Sequence, residues 1–503
     1  MKRIKYIIFL LAVLLTSSCS ESFLEQTPTT ATSKDDFYKT QEDLYQALIA
    51  AYDPLQWDDY FNQYLPTLFA SDIRGDDMLV GGSSESDQGY LYLMHMFSCT
   101  SVNSPYMFWT IYYSGVNRSN LVINNIDNVE NMDENTRSRM RAEAYFLRAY
   151  YYHWLWKNYG NVPYYDKNLE LPYMTKQEKA DDVYEKIVAD LDKALEGSAL
   201  PNDVPASEKG RITRAAAQML KARVVMYQND ESRYPEVLKD MEEIISGGQY
   251  ALMDDYESIF LDANEWCKES IWEINYVDNG NRGWGSAIAS GGTVLPALIG
   301  INGLSSNPEF QSGWGFGPVP KETYDLYPAT DQRKDGGILA FSKLKEKYPD
   351  VSYSPRFQDT GYFLKKYLPR VGYNDNPGDT PLNFKNNLRI FRYSETLLNA
   401  AELILRGAGG TTAEAQDYYD QVRKRALGDN FVQKTITLDN VLQERRLEFV
   451  GEGVRFWDLV RSGKAESVLG SRGYTAEKKY LPIPSSEIDQ TSGEYQLVQN
   501  PGY

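Results

Sequence analysis

Two histidines, three cysteines and a deficit of positive charge set the first limits on this 503-residue chain. With only His95 and His153, neither a His-Glu-x-x-His zinc motif nor a three-histidine ligand set can form. His153 stands in the aromatic run Tyr151–Trp156 and reads as a packed core residue rather than a base. No Gly-x-Ser-x-Gly elbow is present, and no Gly-x-Gly-x-x-Gly fingerprint. The only Gly-Lys pair, Gly463-Lys464, has Asp458 where a phosphate loop needs its first glycine. Lysine and arginine number 52 against 70 aspartates and glutamates, a net charge of −18. That balance opposes nucleic acid, whose binding rests on Lys/Arg contacts to phosphate, and opposes anionic lipid headgroups. A neutral ligand is indifferent to it. A glycosidase needs only two carboxylates, so 70 acids leave that class open. Asp72, Asp76, Asp77, Glu85 and Asp87 cluster without calcium-loop spacing. They read as a solvated face, and a structural calcium has no motif behind it. No metal site and no cofactor are expected.

The N-terminus shows where the protein works. Lys2, Arg3 and Lys5 precede an apolar run, Tyr6–Leu15. That run is too short for a bilayer, which takes about 20 residues, but it suits a signal peptide. Leu15–Ser18 then lead into Cys19, a pattern that resembles a bacterial lipoprotein processing site. Residues 1–18 are expected to be removed and Cys19 to carry several acyl chains, enough for stable anchoring. Removal leaves 49 basic against 70 acidic residues, a net −21. Cys99 and Cys267 then remain. They could pair in an oxidising compartment, but they make no disulfide scaffold.

Apolar spacing of three and four predicts helices over Gln41–Leu55, Pro105–Asp127, Glu134–Tyr159, Asp181–Glu196, Thr213–Gln228 and Tyr234–Ser246. It predicts more over Leu388–Arg406, Thr412–Ala426, Thr437–Val450 and Gly453–Arg461. Repeated pairs joined by short turns suggest a helical-repeat scaffold, although no strict 34-residue period is visible. Short strands are expected at Ser270–Tyr276 and Tyr362–Tyr367.

The stretch Asn275–Asp379 is different, rich in Gly, Pro, Asn and aromatics. A long irregular region inside a compact fold is either functional or disordered. Trp284, Phe310, Trp314, Phe316, Tyr324 and Tyr327 give this one the apolar groups to order itself. The chain holds 39 Tyr, 9 Trp and 19 Phe, and those on helices read as packing. Aromatics between glycines are harder to explain as core. A sugar ring offers an apolar C–H face, which an indole covers, and a hydroxyl rim for Asn, Asp or Arg. Asn279–Gly285 has that composition, with Trp284 beside Asn281 and Arg282. Gly313–Gly317 places Trp314 and Phe316 between glycines. Platform and buried anchor both remain open for these rings, the anchor being favoured for Trp314 and Phe316.

Residues Glu444–Arg461 are the most telling segment. Leu447, Val450, Val454, Trp457 and Val460 form one face, interrupted by Gly451 and Gly453, with four arginines and four acids filling the remainder. Physically this is a bent amphipathic helix pair packed on a core. Its wording resembles the C-terminal signature of the SusD/RagB family of nutrient-binding lipoproteins. So do Leu481–Ile488 and Gln499–Tyr503, and so do the blocks Leu65–Asp72, Arg141–Tyr152 with Tyr159–Pro163, Gly210–Ala217 and Leu388–Glu402. Ser20–Glu25 resembles the acidic tether of surface-exported members.

The resemblance spans nearly the whole chain. It implies a mostly α fold, a single SusD-like domain over 19–503. A tetratricopeptide-like scaffold would occupy about 36–250 and 388–503, with a loop-rich ligand region at about 275–380. It further implies an outer-membrane lipoprotein, anchored through Cys19 and facing the cell exterior. Such a protein captures an oligosaccharide without cleaving it and passes it to a SusC-like TonB-dependent transporter. A peptide cargo of the RagB type and a surface glycoside hydrolase are the alternatives. Family members carry ligand platforms on the early acidic loop and in the middle region. The resemblance therefore adds Asp72 and Tyr90 to Trp284, Trp314, Phe316, Asn281 and Arg282 as candidate ligand residues. The early loop itself offers Tyr90 and Tyr92 but no tryptophan.

Overall fold

The computed structural model describes residues 38–57, 59–60, 63–64, 66–284, 291–376 and 378–503. The expected signal peptide, residues 1–18, and the expected lipidation residue Cys19 lie outside them. Several of the long helices begin where the sequence supplies an oxygen to free amides. Thr40 accepts the Asp43 amide and Asp43 accepts that of Thr40, a reciprocal cap that starts α1 (Gln41–Tyr52). After α2 (Tyr106–Asn125), Asp133 caps α3 (Glu134–Tyr159), which ends at Gly160. There follow α4 (Ala180–Leu195), α5 (Arg214–Gln228), α6 (Tyr234–Ser246), α7 (Tyr393–Leu405), α8 (Thr412–Leu427), α9 (Leu438–Phe449) and the short α10 (Arg455–Arg461). Each packs on its neighbour in sequence, from α1 on α2 through to α7 on α8. This is the stacking of a helical-repeat scaffold. Among the described residues no helix is long and apolar enough to cross a membrane.

The array is tight where a side chain is missing. A Cβ on Gly115 of α2 would lie 2.4 Å from the Tyr151 ring of α3. The absent methyl lets that ring lie flat on the α2 backbone, and its hydroxyl donates to the Ala51 carbonyl at 2.7 Å.

The middle region is ordered by small elements. β1 (Ser270–Ile274) and β4 (Leu388–Arg392) pair antiparallel, as do β2 (Ile338–Ala340) and β3 (Tyr362–Leu364). Ile301, Leu304, Phe310, Leu339 and Phe363 belong to a satellite core beside the main one. One expectation is corrected here. Leu388–Arg406 is not one helix, because Leu388–Arg392 is the strand β4, buried along its length. Its Ile and Phe suit a strand, and pairing with β1 overrides local helical spacing. The possible Cys99–Cys267 pair is also absent, and both thiols are free. His153 is buried among the rings of Tyr150 and Trp154, as the aromatic run predicts.

The C-terminal signature folds as a bent pair. α9 stops at Phe449, and Gly451 and Gly453 turn the chain at φ of +78° and +73°. A Cβ on Gly451 would fall 2.2 Å from Leu364. The charges around the bend are buried. Arg392 donates to Glu269 at 2.6 Å, to Glu448 at 2.9 Å and to Glu452 at 2.7 Å. Lys366 reaches Glu452 at 2.6 Å, Arg333 reaches Glu444 at 2.7 Å and Glu448 at 3.2 Å, and Arg425 reaches Glu269 at 2.9 Å. Burial alone would raise the Glu448 carboxyl, but Arg425, Arg392 and Arg333 hold it well below the usual range. Glu452 is lowered against burial by Arg392 and Lys366.

Two outcomes follow. Glu448→Gln leaves three guanidinium groups short of a counter-charge, so it should cost about 3–5 kcal/mol in denaturant unfolding. Glu448 and Glu452 both sit below the ordinary 4.5 in the folded chain. Their contribution is complete above about that pH and is lost as pH falls towards the folded values. The urea midpoint should therefore drop steadily below about pH 4.5 in the wild-type chain, and less steeply in Glu448→Gln.

Candidate functional site

Trp284 and Trp314 stand 30 positions apart in sequence, yet their rings stack with centroids 6.0 Å apart and planes inclined by 29°. Trp284 is 48% exposed, and Trp314 is half-buried against the core. Backbone contacts fix both rings. The Trp284 amide donates to Asp379 Oδ2 at 2.6 Å. Asn383 clamps the chain two residues earlier, accepting the Arg282 amide at 3.0 Å and donating to its carbonyl at 2.8 Å. The Trp314 amide donates to the Ala297 carbonyl at 2.8 Å, and its own carbonyl accepts from Arg356 Nη1 at 3.1 Å. Arg356 and Asn302 flank Gly315, where an added Cβ would touch both at 3.3–3.4 Å. The paired rings thus have a partly exposed guanidinium and an amide close by.

The early loop converges on the same place. Gly81 bridges Phe316 antiparallel, and the Gly82 amide donates to the Gly315 carbonyl at 3.0 Å. Gln358 Oε1 accepts the amides of Val80 and Gly81 at 3.0 and 3.1 Å. Asp87 lies 3.7 Å from Arg356, and the Tyr92 ring meets Phe357 edge-on at 6.1 Å. The resemblance placed platforms on the early loop and in the middle region, and these segments meet here.

The candidate residues divide on burial. Trp284 is exposed at the surface, Trp314 is half-buried beneath it, and Asn281 is exposed beside it at φ of +51°. Tyr90 is half-buried, and its hydroxyl donates to Gln88. Three others are corrected. Phe316 is 3% exposed and lies under Gly82, where a Cβ would be 2.6 Å from the ring. It anchors the loop and cannot stack on a ligand. Arg282 is 4% exposed, and its guanidinium donates to the Gly292 carbonyl at 2.7 Å. It orders the loop rather than a hydroxyl rim. Asp72 is 1% exposed and accepts the Gly453 amide at 2.8 Å. Burial pushes its carboxyl well up. Asp76 and Asp77 are no solvated face either. They pair with Arg446 at 2.8 and 2.7 Å, and Asp76 with Arg455 at 2.7 Å. Among the described residues no group of three or more His, Cys, Asp or Glu could hold a metal.

Arg356, Asn302 and Asp379 escaped sequence reasoning, and Asp87 stood there only as one of an acidic stretch. Nothing in the neighbours of Asn302 or Asp379 marks them. Pro355-Arg356-Phe357 does set a cation beside an aromatic, which was the one usable signal.

Two family profiles match the chain: the SusD family over residues 342–503, and "starch-binding associating with outer membrane" over residues 22–226. Surface glycan-binding protein A of Bacteroides thetaiotaomicron, solved in complex with laminarihexaose, is 46% identical. The match covers 92% of this chain and 100% of that one, with a TM-score of 0.86. The chain belongs to the SusD family. A laminarin-binding SusD-like protein is 33% identical over 93% of this chain and 100% of its own, with a TM-score of 0.83. SusD-like protein P2 of Formosa agariphila is 27% identical over the full length of both. These SusD-family relatives are named for the family or for binding, none for catalysis, and one profile names association with the outer membrane.

Burial predicts opposite costs at the two aromatic positions. Phe316→Ala should lose about 3–5 kcal/mol of stability, and Trp284→Ala about 1 kcal/mol or less, both read from denaturant unfolding.

Proposed function

We propose that this SusD-family chain is a surface lipoprotein that captures a laminarin-type oligosaccharide on the Trp284–Trp314 pair without cleaving it. The observation that carries the reading is the pair itself. Two indoles from separate loops stack at 6.0 Å, with one ring 48% exposed. A core would bury both. An indole covers the C–H face of a sugar, and Arg356, Asn302, Asn281 and Asp379 stand near enough to offer its hydroxyls donors and acceptors. The relative 46% identical to this chain was solved with laminarihexaose, and a second is named for laminarin. Capture of this kind is non-covalent and uses no cofactor or metal. Cys19 would carry the lipid anchor that holds the site outside the outer membrane. The captured glycan would pass to a SusC-like TonB-dependent transporter.

Affinity electrophoresis of the detergent-purified full chain in laminarin gels tests the reading, with calorimetry on laminarihexaose and a reducing-end assay beside it. Retardation without new reducing ends is expected. Trp284→Ala should weaken binding at least about tenfold, the usual cost of losing a central tryptophan. New reducing ends would make the protein a hydrolase. Full affinity in Trp284→Ala would move the site elsewhere. Separately, cells given labelled palmitate should label the wild-type chain and not Cys19→Ala.

A further inference from the structure

Where α3 and α5 meet α7, α9 and α10, the helices enclose a cavity that shares no lining residue with the tryptophan pair. It offers about 40 Å³, against the roughly 10–15 Å³ that one water-sized guest needs. Six charged side chains line it: Lys157, Arg223, Arg445, Arg461, Glu395 and Asp458. Four are cations and two are carboxylates, and both carboxylates are engaged. Glu395 takes Arg223 through both oxygens at 2.6 and 2.7 Å. Asp458 bridges Arg445 and Arg461 at 2.8 Å each.

Arg461 also pairs with Glu402 at 2.8 Å, so Lys157 is the surplus charge. It is 5% exposed, and its ammonium lies 4.1 Å from the ring centroid of Trp457, 5.0 Å from Trp154 and 5.1 Å from Tyr227. Ring faces compensate only part of the cost of burying an ammonium. Two more polar atoms at the lining lack a hydrogen-bond partner among the described residues: Tyr227 Oη and Asn399 Nδ2. Each of these spare groups can donate, and none is a carboxylate or a carbonyl.

We infer that this cavity binds a small monovalent anion of the chloride kind, held by Lys157, Tyr227 and Asn399. The anion would supply the missing counter-charge and tie α3 and α5 to the C-terminal helices. Burial, with Arg223 nearby, pushes the Lys157 amine well below its ordinary value. A bound anion opposes that push and keeps the ammonium charged.

Bromide serves as the probe. Crystals of the full chain soaked in sodium bromide should show an anomalous peak inside the cavity. The melting temperature should rise with sodium chloride over sodium gluconate at equal ionic strength and then saturate, as a site that binds only the folded chain requires. Tyr227→Phe should raise the chloride midpoint at least about tenfold, the loss of one hydrogen bond to a charged group. Lys157→Met should remove the halide dependence. If it fails to fold, the bromide peak and Tyr227→Phe still decide. Soaked crystals without a peak, or equal melting in the two salts, would overturn the inference.

Discussion

Arg392 is the residue on which the rest of the molecule leans. It sits at the end of a strand, almost without solvent contact, and binds three carboxylates from two separate segments. Taking such a charge out of water costs several kcal/mol and is repaid only when its whole set of partners is in place. Glu269 comes from beside β1, while Glu448 and Glu452 come from the bend after α9. Lys366, Arg333 and Arg425 complete the set from the middle region and α8. The network is therefore a joint between the stacked helices and the irregular region. Removing one partner strands the others, so the two parts hold together or fail together.

That joint gives the tryptophan pair its frame. The loops carrying the rings have little regular structure, yet backbone bonds to Asp379, Ala297 and Arg356 hold each ring. A platform fixed beforehand loses less side-chain freedom when a ligand arrives. Phe316 and Arg282 serve the same end from below, one filling the space under Gly82 and the other closing the loop on Gly292.

The helices were legible because their spacing and caps agree. Glu134–Tyr159 and Tyr234–Ser246 fall where apolar period and terminal glycines put them. Leu388–Arg392 was not legible, since its strand exists only through pairing with residues more than a hundred positions earlier. The site was half legible. Glycine-flanked aromatics left platform and anchor both open, because composition cannot separate Trp284 from Phe316, whose neighbours read alike. What separates them is Gly82, a residue of another loop that lies on the Phe316 ring. Asp72 misled for the same reason. An acid in a loop reads as exposed until the Gly453 amide is seen to reach it. The charged half of the C-terminal signature carried no hint of its burial, because its partners lie in five other segments.

The same long reach orders the making of the fold. Asp72 meets Gly453 across 381 positions, and Asp77 meets Arg446 across 369. Until residues 446–455 are present, Asp72, Asp76 and Asp77 lack the amide and the cations that receive them, and this part of the loop has no reason to leave water. The α1–α6 stack can assemble from near neighbours as the chain emerges, since its contacts are local. The early loop, although it is made first, must close last. A chain cut short before α9 would lack the partners that draw the early loop out of water.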